Sequence, residues 1–415
     1  MNLSQHYDEI AHCNRCGFCQ VACPIFRSTG HESGVARGRL ALLRAIIEGR
    51  LPWNESLKEP LFDCLLCEAC TANCFPAVPT ASLVVQARSE YLNNVGRNRA
   101  HRLLFDHLLP YPRRLHLAAR ALAAGKNSGA SNLAAALGLL RIFGKNVAQS
   151  HDILDRIPPL PLRDEIKPGV YPGRGKSLRV GYFVGCGVDI LQQRTGRASL
   201  ELLSRWGKTV TVFENACCGL PAWSYGDIPA AWKLAEKNMA ILSRQDLDVI
   251  VTDCSSCASF LKKYPTLFPD ADPRQEKAAS ISKRIRDMVT VIAELVPPSG
   301  MPRKAAVTWH DPCHISRGQG ISKVPREALR RIPGIDYREM PEADWCCGGA
   351  GAYALSHFEL SRQVLNRKMQ NLKKTGAGVV VTSCPACMVQ LSYGIRQHGI
   401  DAEVLHLSEV FADLG

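Results

Sequence analysis

Apolar residues follow two different rhythms along this chain. In the N-terminal part they recur at helical spacing. From Val35 to Arg50 (VARGRLALLRAIIEGR), Leu40, Leu43, Ile46 and Ile47 share one face, Arg39 and Arg44 fall on the other, and Gly49 supplies a stop, so a helix is predicted. Leu83 to Leu92 predicts another. Beyond about residue 179 the pattern becomes short apolar runs separated by amphipathic stretches, the signature of alternating strands and helices. Strands are predicted at Arg179 to Val184 (RVGYFV), Thr209 to Phe213 (TVTVF), Asp248 to Asp253 (DVIVTD), Ala305 to Trp309 (AAVTW), Ile335 to Glu339 and Val379 to Thr382 (VVVT). Helices are expected from about Ile190 to Trp206, Pro229 to Ser243 and Leu360 to Lys373.

Between these regions lies a Leu- and Ala-rich stretch (LHLAARALAA, then SNLAAALGLLRIFGKN) broken by Gly125-Lys126-Asn127-Ser128-Gly129, which predicts a helical hairpin. Charge sharpens the picture there. Ten basic residues fall between Arg88 and Lys145 against only Glu90 and Asp106, and the whole chain carries a net +13. A basic, apolar hairpin suits an acidic partner or an anionic membrane surface; a linker with a solvated basic face fits equally well. Asp152 to Lys176, with Pro158, Pro159, Pro161, Pro168 and Pro172, reads as a linker.

The eighteen cysteines concentrate the chemistry. Cys13, Cys16, Cys19 and Cys23-Pro24 form a C-x2-C-x2-C-x3-C-P run, and Cys64, Cys67, Cys70 and Cys74-Phe75-Pro76 repeat the cysteine spacing. Three thiolates two residues apart on a tight loop can wrap three corners of a [4Fe–4S] cube. Zinc sites usually use two separated C-x2-C pairs, and disulfide frameworks belong to exported chains. Met1 to Ile10 is polar, with no apolar signal-peptide core. Iron–sulfur ligation is therefore favoured over both.

The other ten cysteines form an internal repeat. Cys186, Cys217-Cys218-Gly219 and Cys254-Ser255-Ser256-Cys257 are answered by Cys313, Cys346-Cys347-Gly348 and Cys384-Pro385-Ala386-Cys387 at offsets of 127 to 130 residues. Each group falls at the predicted carboxyl ends of strands, where open α/β sheets place ligands. Four thiolates suffice for a cube. Five per copy fit either a larger cluster or a cube with one spare thiol, with zinc in one copy as the main alternative.

The two N-terminal runs resemble those of helical two-cluster ferredoxins, in which the last cysteine of each run ligates the other cluster. That resemblance assigns Cys13, Cys16, Cys19 and Cys74 to one cube, and Cys64, Cys67, Cys70 and Cys23 to the other. The ten-cysteine repeat resembles the duplicated CCG domain of heterodisulfide reductase and of the iron–sulfur subunits of glycolate, D-lactate and anaerobic glycerol-3-phosphate dehydrogenases. Gly34-Val35-Ala36-Arg37-Gly38-Arg39, with Ala36 where that family has proline, and Cys346 to Leu355 followed by Leu365 to Met369 look like segments of glycolate oxidase iron–sulfur subunits. The resemblance implies an α+β multidomain chain: a helical 2x[4Fe–4S] ferredoxin at 1–95, a connector and linker at 96–175, and CCG domains at 176–300 and 301–415. It further implies an oxidoreductase subunit in the cytoplasm, in contact with the inner face of the membrane, that relays electrons from the FAD of a glycolate or D-lactate dehydrogenase partner to a quinone or other acceptor. Reduction of a disulfide at CCG-bound clusters, as in heterodisulfide reductase, is the alternative.

Other motifs drop out. Gly173-Arg174-Gly175-Lys176-Ser177 looks like the end of a phosphate-binding loop, but Val170 stands where its first glycine belongs. The basic charge comes with no nucleic-acid-binding pattern. No Gly-x-Gly-x-x-Gly loop speaks for flavin or nicotinamide, so the carbon substrate is expected to react on a partner. His310, His314 and His406 lie near the cysteines and are most simply hydrogen-bonded neighbours of a site; His310 and His314 stay as candidate ligands.

Overall fold

The computed structural model describes residues 3–243, 247–297 and 305–412. Helices build the N-terminal part. Ala36–Ile47 and Thr80–Asn94 pack Leu40, Leu43, Leu83, Ala87 and Tyr91 into one core with Leu57, Leu61 and Phe62. Each fully buried leucine there contributes about 1.5–3 kcal/mol. Glu48 caps the first helix and Gly49 follows it with φ of 71°, the stop that the sequence predicted. Arg39, expected on the polar face, is instead buried: its Nε donates to the Pro60 carbonyl, and the thiols of Cys64, Cys23 and Cys70 surround its charge. Helical spacing could not show this, because the helix is covered on a second side by the loop that carries Cys64.

The connector is a helical hairpin. Its first arm, Pro112–Asn127, runs on through Gly125 and turns at Gly129, whose φ of 80° suits glycine; Ala130–Ala136 follows. One buried carboxylate ties it down. Asp189 accepts from His116 Nε2 at 2.7 Å and from Arg163 Nε and Nη2 at 3.0 and 2.7 Å, while its other oxygen accepts from the Arg163 backbone N–H. Burial opposes ionisation, but these donors hold the carboxyl below its usual range. Asp189→Ala strands the buried Arg163 guanidinium and is expected to cost about 3–5 kcal/mol in denaturant unfolding. In wild type this stabilisation is fully present above the unfolded pKa of about 3.9 and is lost as pH falls through the lower folded value.

Two parallel sheets follow, one per cysteine repeat. The first contains β1 (Gly169–Pro172), β2 (Arg179–Tyr182), β3 (Thr209–Val212), β4 (Val249–Thr252) and β5 (Ile285–Asp287), in the order β1-β3-β2-β4-β5. The second contains β6 (Ala305–Trp309), β7 (Ile335–Tyr337), β8 (Val379–Thr382) and β9 (Glu403–His406), in the order β7-β6-β8-β9. All neighbours are parallel except β1, which runs antiparallel to β3 from Gly169↔Val212 to Pro172↔Thr209. Residues read as linker thus supply an edge strand, a position where proline is tolerated. The expected helix from Ile190 is also broken: Cys186–Leu191 ends at Gln192, and Gln193–Trp206 begins afresh.

The copies interlock. Leu407–Ala412, after β9, packs on Gln193–Trp206 of the first copy, where Ser199 Oγ bonds Ser408 Oγ at 3.0 Å and Thr195 bonds Glu409. Met288–Ile292, after β5, packs on Lys323–Arg330 of the second copy. One apolar core, with Val180, Val251, Val307, Trp309 and Val381, therefore spans both sheets.

Candidate metal centres

Local backbone geometry sets the N-terminal sulfurs. Arg15 and Gly17 flank Cys16 with φ of 55° and 87°, and Leu66 and Glu68 flank Cys67 with φ of 51° and 59°. Left-handed Leu66 and Glu68 each store strain on the order of 1–3 kcal/mol. Such strain, repeated at matching places in both runs, is what curling three cysteines around one body requires. Cys13, Cys16, Cys19, Cys70 and Cys74 line a single cavity, and Cys16 is exposed. Cys23 lies within the electrostatic reach of Cys67 and Cys64, and burial pushes its thiol up to about 11. Cys70 feels Cys64, Cys67 and Cys23, and Cys19 feels Cys13 and Cys23.

The structure thus brings Cys74 to the first run and Cys23 to the second, the arrangement that a crossed ligand assignment needs. If the assignment holds, Cys74→Ser removes the EPR signal of the cube on Cys13, Cys16 and Cys19. A loss confined to the cube on Cys64, Cys67 and Cys70 would refute it.

In the repeats, strand ends meet helix starts. Cys254 caps Ser255–Lys262 and Cys384 caps Pro385–His398, while Cys186 and Cys313 are the first residues of their helices. Helix N-termini favour the thiolate form. After each cysteine pair the chain turns on glycine: Gly219 and Gly348 have φ of 99° and 84°, and a Cβ on Gly348 would meet the Ser361 carbonyl at 2.6 Å.

Adjacent cysteines point to different neighbours. Cys217 Sγ lies 3.6 Å from Cys186 Sγ, whereas Cys218 contacts Cys257, which contacts Cys254. In the second copy Cys347 Sγ lies 3.5 Å from Cys387 Sγ, and Cys387 contacts Cys384. Cys313 lies within electrostatic reach of Cys346, Cys347 and Cys384. Crowded thiols drive each other apart in acidity. Hydrogen bonds from Cys217 and Cys257 lower Cys218 to about 5, and those from Cys346 and Cys387 lower Cys347, while contacts with Cys218 and Cys254, then burial, raise Cys257, and contacts with Cys347 and Cys384, then burial, raise Cys387.

Two contacts join the sets. Cys67 touches Cys346, so the second ferredoxin run abuts the second repeat; Arg317, with Nη1 on the Cys67 carbonyl at 3.3 Å, and Tyr353, with its hydroxyl on the Asp63 carbonyl at 2.9 Å, brace the seam. Cys254 touches Cys384, so the two repeats abut as well. There Ser255 and Ser383 bond side chain to side chain at 2.7 Å, and Ser256 Oγ lies 3.3 Å from Cys384 Sγ and 3.0 Å from His314 Nδ1.

Thiolate-bound metal centres fit these sets. Sulfur separations of 3.5 and 3.6 Å far exceed a disulfide bond of about 2.05 Å. They approach the roughly 3.8 Å between two thiolates held about 2.3 Å from one tetrahedral metal. All described cysteines are free thiols, and a buried group of thiols can ionise together only around cations.

Composition and spacing could not have singled out several further residues. Lys368 is fully buried, donating to the carbonyls of Glu342 and Ala343 at 2.7 and 3.1 Å, with its charge near Cys347 and Cys346. Asn238 holds the corresponding place in the first copy and bonds the Cys217 carbonyl at 2.9 Å. Arg88 donates to the Leu61 and Cys64 carbonyls at 2.7 and 2.6 Å. Of the histidines, His406 bonds the Asp253 carbonyl at 2.8 Å within electrostatic reach of Cys384, His314 bonds Ser256 between the repeats, and His310 faces Cys347 and Cys387. Gln319 of the second copy donates to Asp287 of the first at 2.9 Å.

A helical two-run ferredoxin joined to a duplicated, cysteine-bearing α/β unit defines an iron–sulfur electron-transfer protein. Known proteins agree. Residues 9–77 match the 4Fe-4S dicluster domain, 180–262 and 307–392 match the cysteine-rich domain, and 96–154 match the linker region of the glycolate oxidase iron-sulfur subunit. The chain is 30% identical over 419 residues to the probable glycolate oxidase iron-sulfur subunit of Bacillus subtilis (strain 168), covering 98% of this chain and 94% of that protein. Lactate utilization protein A of the same bacterium is 30% identical over 236 residues, which are 56% of this chain and 98% of the relative. A subunit of the fumarate reductase (CoM/CoB) of Methanothermobacter marburgensis is 30% identical over 242 residues, 57% of this chain and 47% of the relative. The chain belongs to the family of glycolate oxidase iron-sulfur subunits.

Proposed function

We propose that this chain is the relay subunit of a flavin-linked 2-hydroxyacid dehydrogenase, taking electrons from the FAD of a partner that oxidises glycolate or D-lactate and delivering them to a quinone or another acceptor. All eighteen cysteines are its ligands, in the sets given above. Iron–sulfur clusters supply one-electron transfer when bound there. The observation that carries this reading is the unbroken run of neighbouring sulfurs. It orders the sets as the Cys13 set, the Cys64 set, the second repeat and then the first, which is not their order in sequence. Units at 1–95, 96–175, 176–300 and 301–415 remain the working division, with the first sheet's edge strand contributed from the connector.

The exposed end of this run supports partner docking. Around Cys16 the apolar side chains Phe18, Val21 and Phe75 face solvent, Phe75 at 91% exposure. The connector supports a peripheral contact with an anionic membrane: Leu117, Leu122, Leu133, Leu137 and Ile142 are exposed beside Arg113, Arg120, Arg141 and Lys145. Among the described residues no helix is long and apolar enough to cross a membrane.

Purified alone, the chain is expected to leave glycolate and D-lactate unoxidised with any dye acceptor; adding the FAD-bearing partner should restore turnover. Oxidation by the lone chain would end this proposal. The Cys254–Cys384 contact favours one rival, disulfide reduction by two adjacent centres. That rival predicts that the lone chain reduces a disulfide from an artificial one-electron donor, only with Cys217, Cys218, Cys346 and Cys347 intact.

A further inference from the structure

Besides Lys368 and Asn238, the two repeats differ at another buried position beside the sulfurs. Three residues before the first cysteine of the repeat, the first copy has Phe183 and the second has His310. Phe183 belongs to the apolar core of its copy. His310 is just as buried, at 1% exposure, yet neither ring nitrogen has a hydrogen-bond partner. An imidazole left unpaired in this way is destabilising, and buried polar groups are otherwise almost always satisfied.

Its surroundings name the missing partner. A ring nitrogen of His310 and the sulfurs of Cys347 and Cys387 all lie within 4.8 Å of one another, and the sulfurs are 3.5 Å apart. Three donors at such spacing converge on one metal ion.

We propose that His310 is a nitrogen ligand to one iron of the second repeat's cluster, shared with Cys347 and Cys387, so that the two repeats hold chemically different centres. The inference rests on the reading that the repeats bind iron. A neutral imidazole in place of an anionic thiolate leaves a cluster less negative and easier to reduce, as histidine ligation does in Rieske centres. With Phe183 at the equivalent place, the first centre has no such ligand. The second centre, which abuts the ferredoxin at Cys67 and Cys346, is then the more readily reduced of the pair.

The test uses the full-length chain, purified without oxygen and labelled with 15N-histidine. Pulsed EPR of the partly reduced wild type should show one strongly coupled histidine nitrogen. His310→Phe, which copies the first repeat and keeps the core filled, should lose that coupling. It should also lower the midpoint potential of one centre by a factor of ten or more in its one-electron equilibrium, at least 59 mV, while the cubes on the N-terminal runs keep their signals as a folding control. His310→Ala serves as the second variant. Unchanged nitrogen coupling and potential in both variants, or iron in the repeats without any strong nitrogen coupling in wild type, would overturn the ligand assignment alone. Zinc, or no metal, in the repeats would overturn it together with the reading beneath it.

Discussion

In a complex with the proposed flavin-bearing partner, Cys67→Ser is expected to reduce electron delivery to a quinone or other acceptor by on the order of a hundredfold or more, since even outer-shell changes at metal sites cost 10–100-fold. Substrate reduction of the partner's flavin should proceed at the wild-type rate. Cys67 stands where the N-terminal runs meet the repeats, against Cys346 and within electrostatic reach of Cys313, so its loss cuts the run at that junction. Arg317 and Tyr353 hold that seam from both sides, which leaves the packing in place when the thiol goes. Cys347→Ser, one set further on, should behave alike. Stopped-flow bleaching of the flavin reads the first half-reaction, and quinone reduction reads the second. Equal slowing of both would mean that these cysteines serve substrate oxidation rather than the relay.

Removing the metal should be as damaging to the fold as removing a ligand is to transfer. Cys217, Cys218, Cys254 and Cys257 belong to one apolar core, Cys347, Cys384 and Cys387 to another, and Cys23, Cys67 and Cys346 to the core between ferredoxin and repeats. Stripped of cations, these thiols must stay protonated in contact with one another or repel as anions. Metal-binding free energy is then largely folding free energy. Chelation under reducing conditions is expected to remove near-UV circular dichroism and lower Tm by roughly 8–16 °C, the shift that a loss of about 4 kcal/mol gives a domain of 150–250 residues. A chelated chain that keeps its Tm would show that packing alone sustains the repeats.

Much of this was legible in the sequence because the signals are local. Cysteine spacing marked every sulfur set, and apolar runs such as Val249–Thr252 and Val379–Thr382 marked the strands that deliver them. Edge elements escaped: Gly169–Pro172 hides in a proline-rich stretch and Ile285–Asp287 is three residues long, and both become strands only through partners across the sheet. Tertiary neighbours escaped for the same reason. Nothing near Arg39 announces that a second loop covers it. Nothing near Cys67 points 279 residues ahead to Cys346. His310 and His314 stood as equal candidate ligands in the sequence because His310's unsatisfied nitrogens exist only in the folded chain.

Whether all eighteen cysteines hold iron–sulfur clusters in one relay is tested by measuring iron, acid-labile sulfide and zinc on the full-length chain purified without oxygen. Iron and sulfide are expected in near-equal amounts, clearly above the roughly eight of each that two cubes supply, with zinc at trace level. About eight irons per chain, together with stoichiometric zinc or with metal-free repeats, would contradict it.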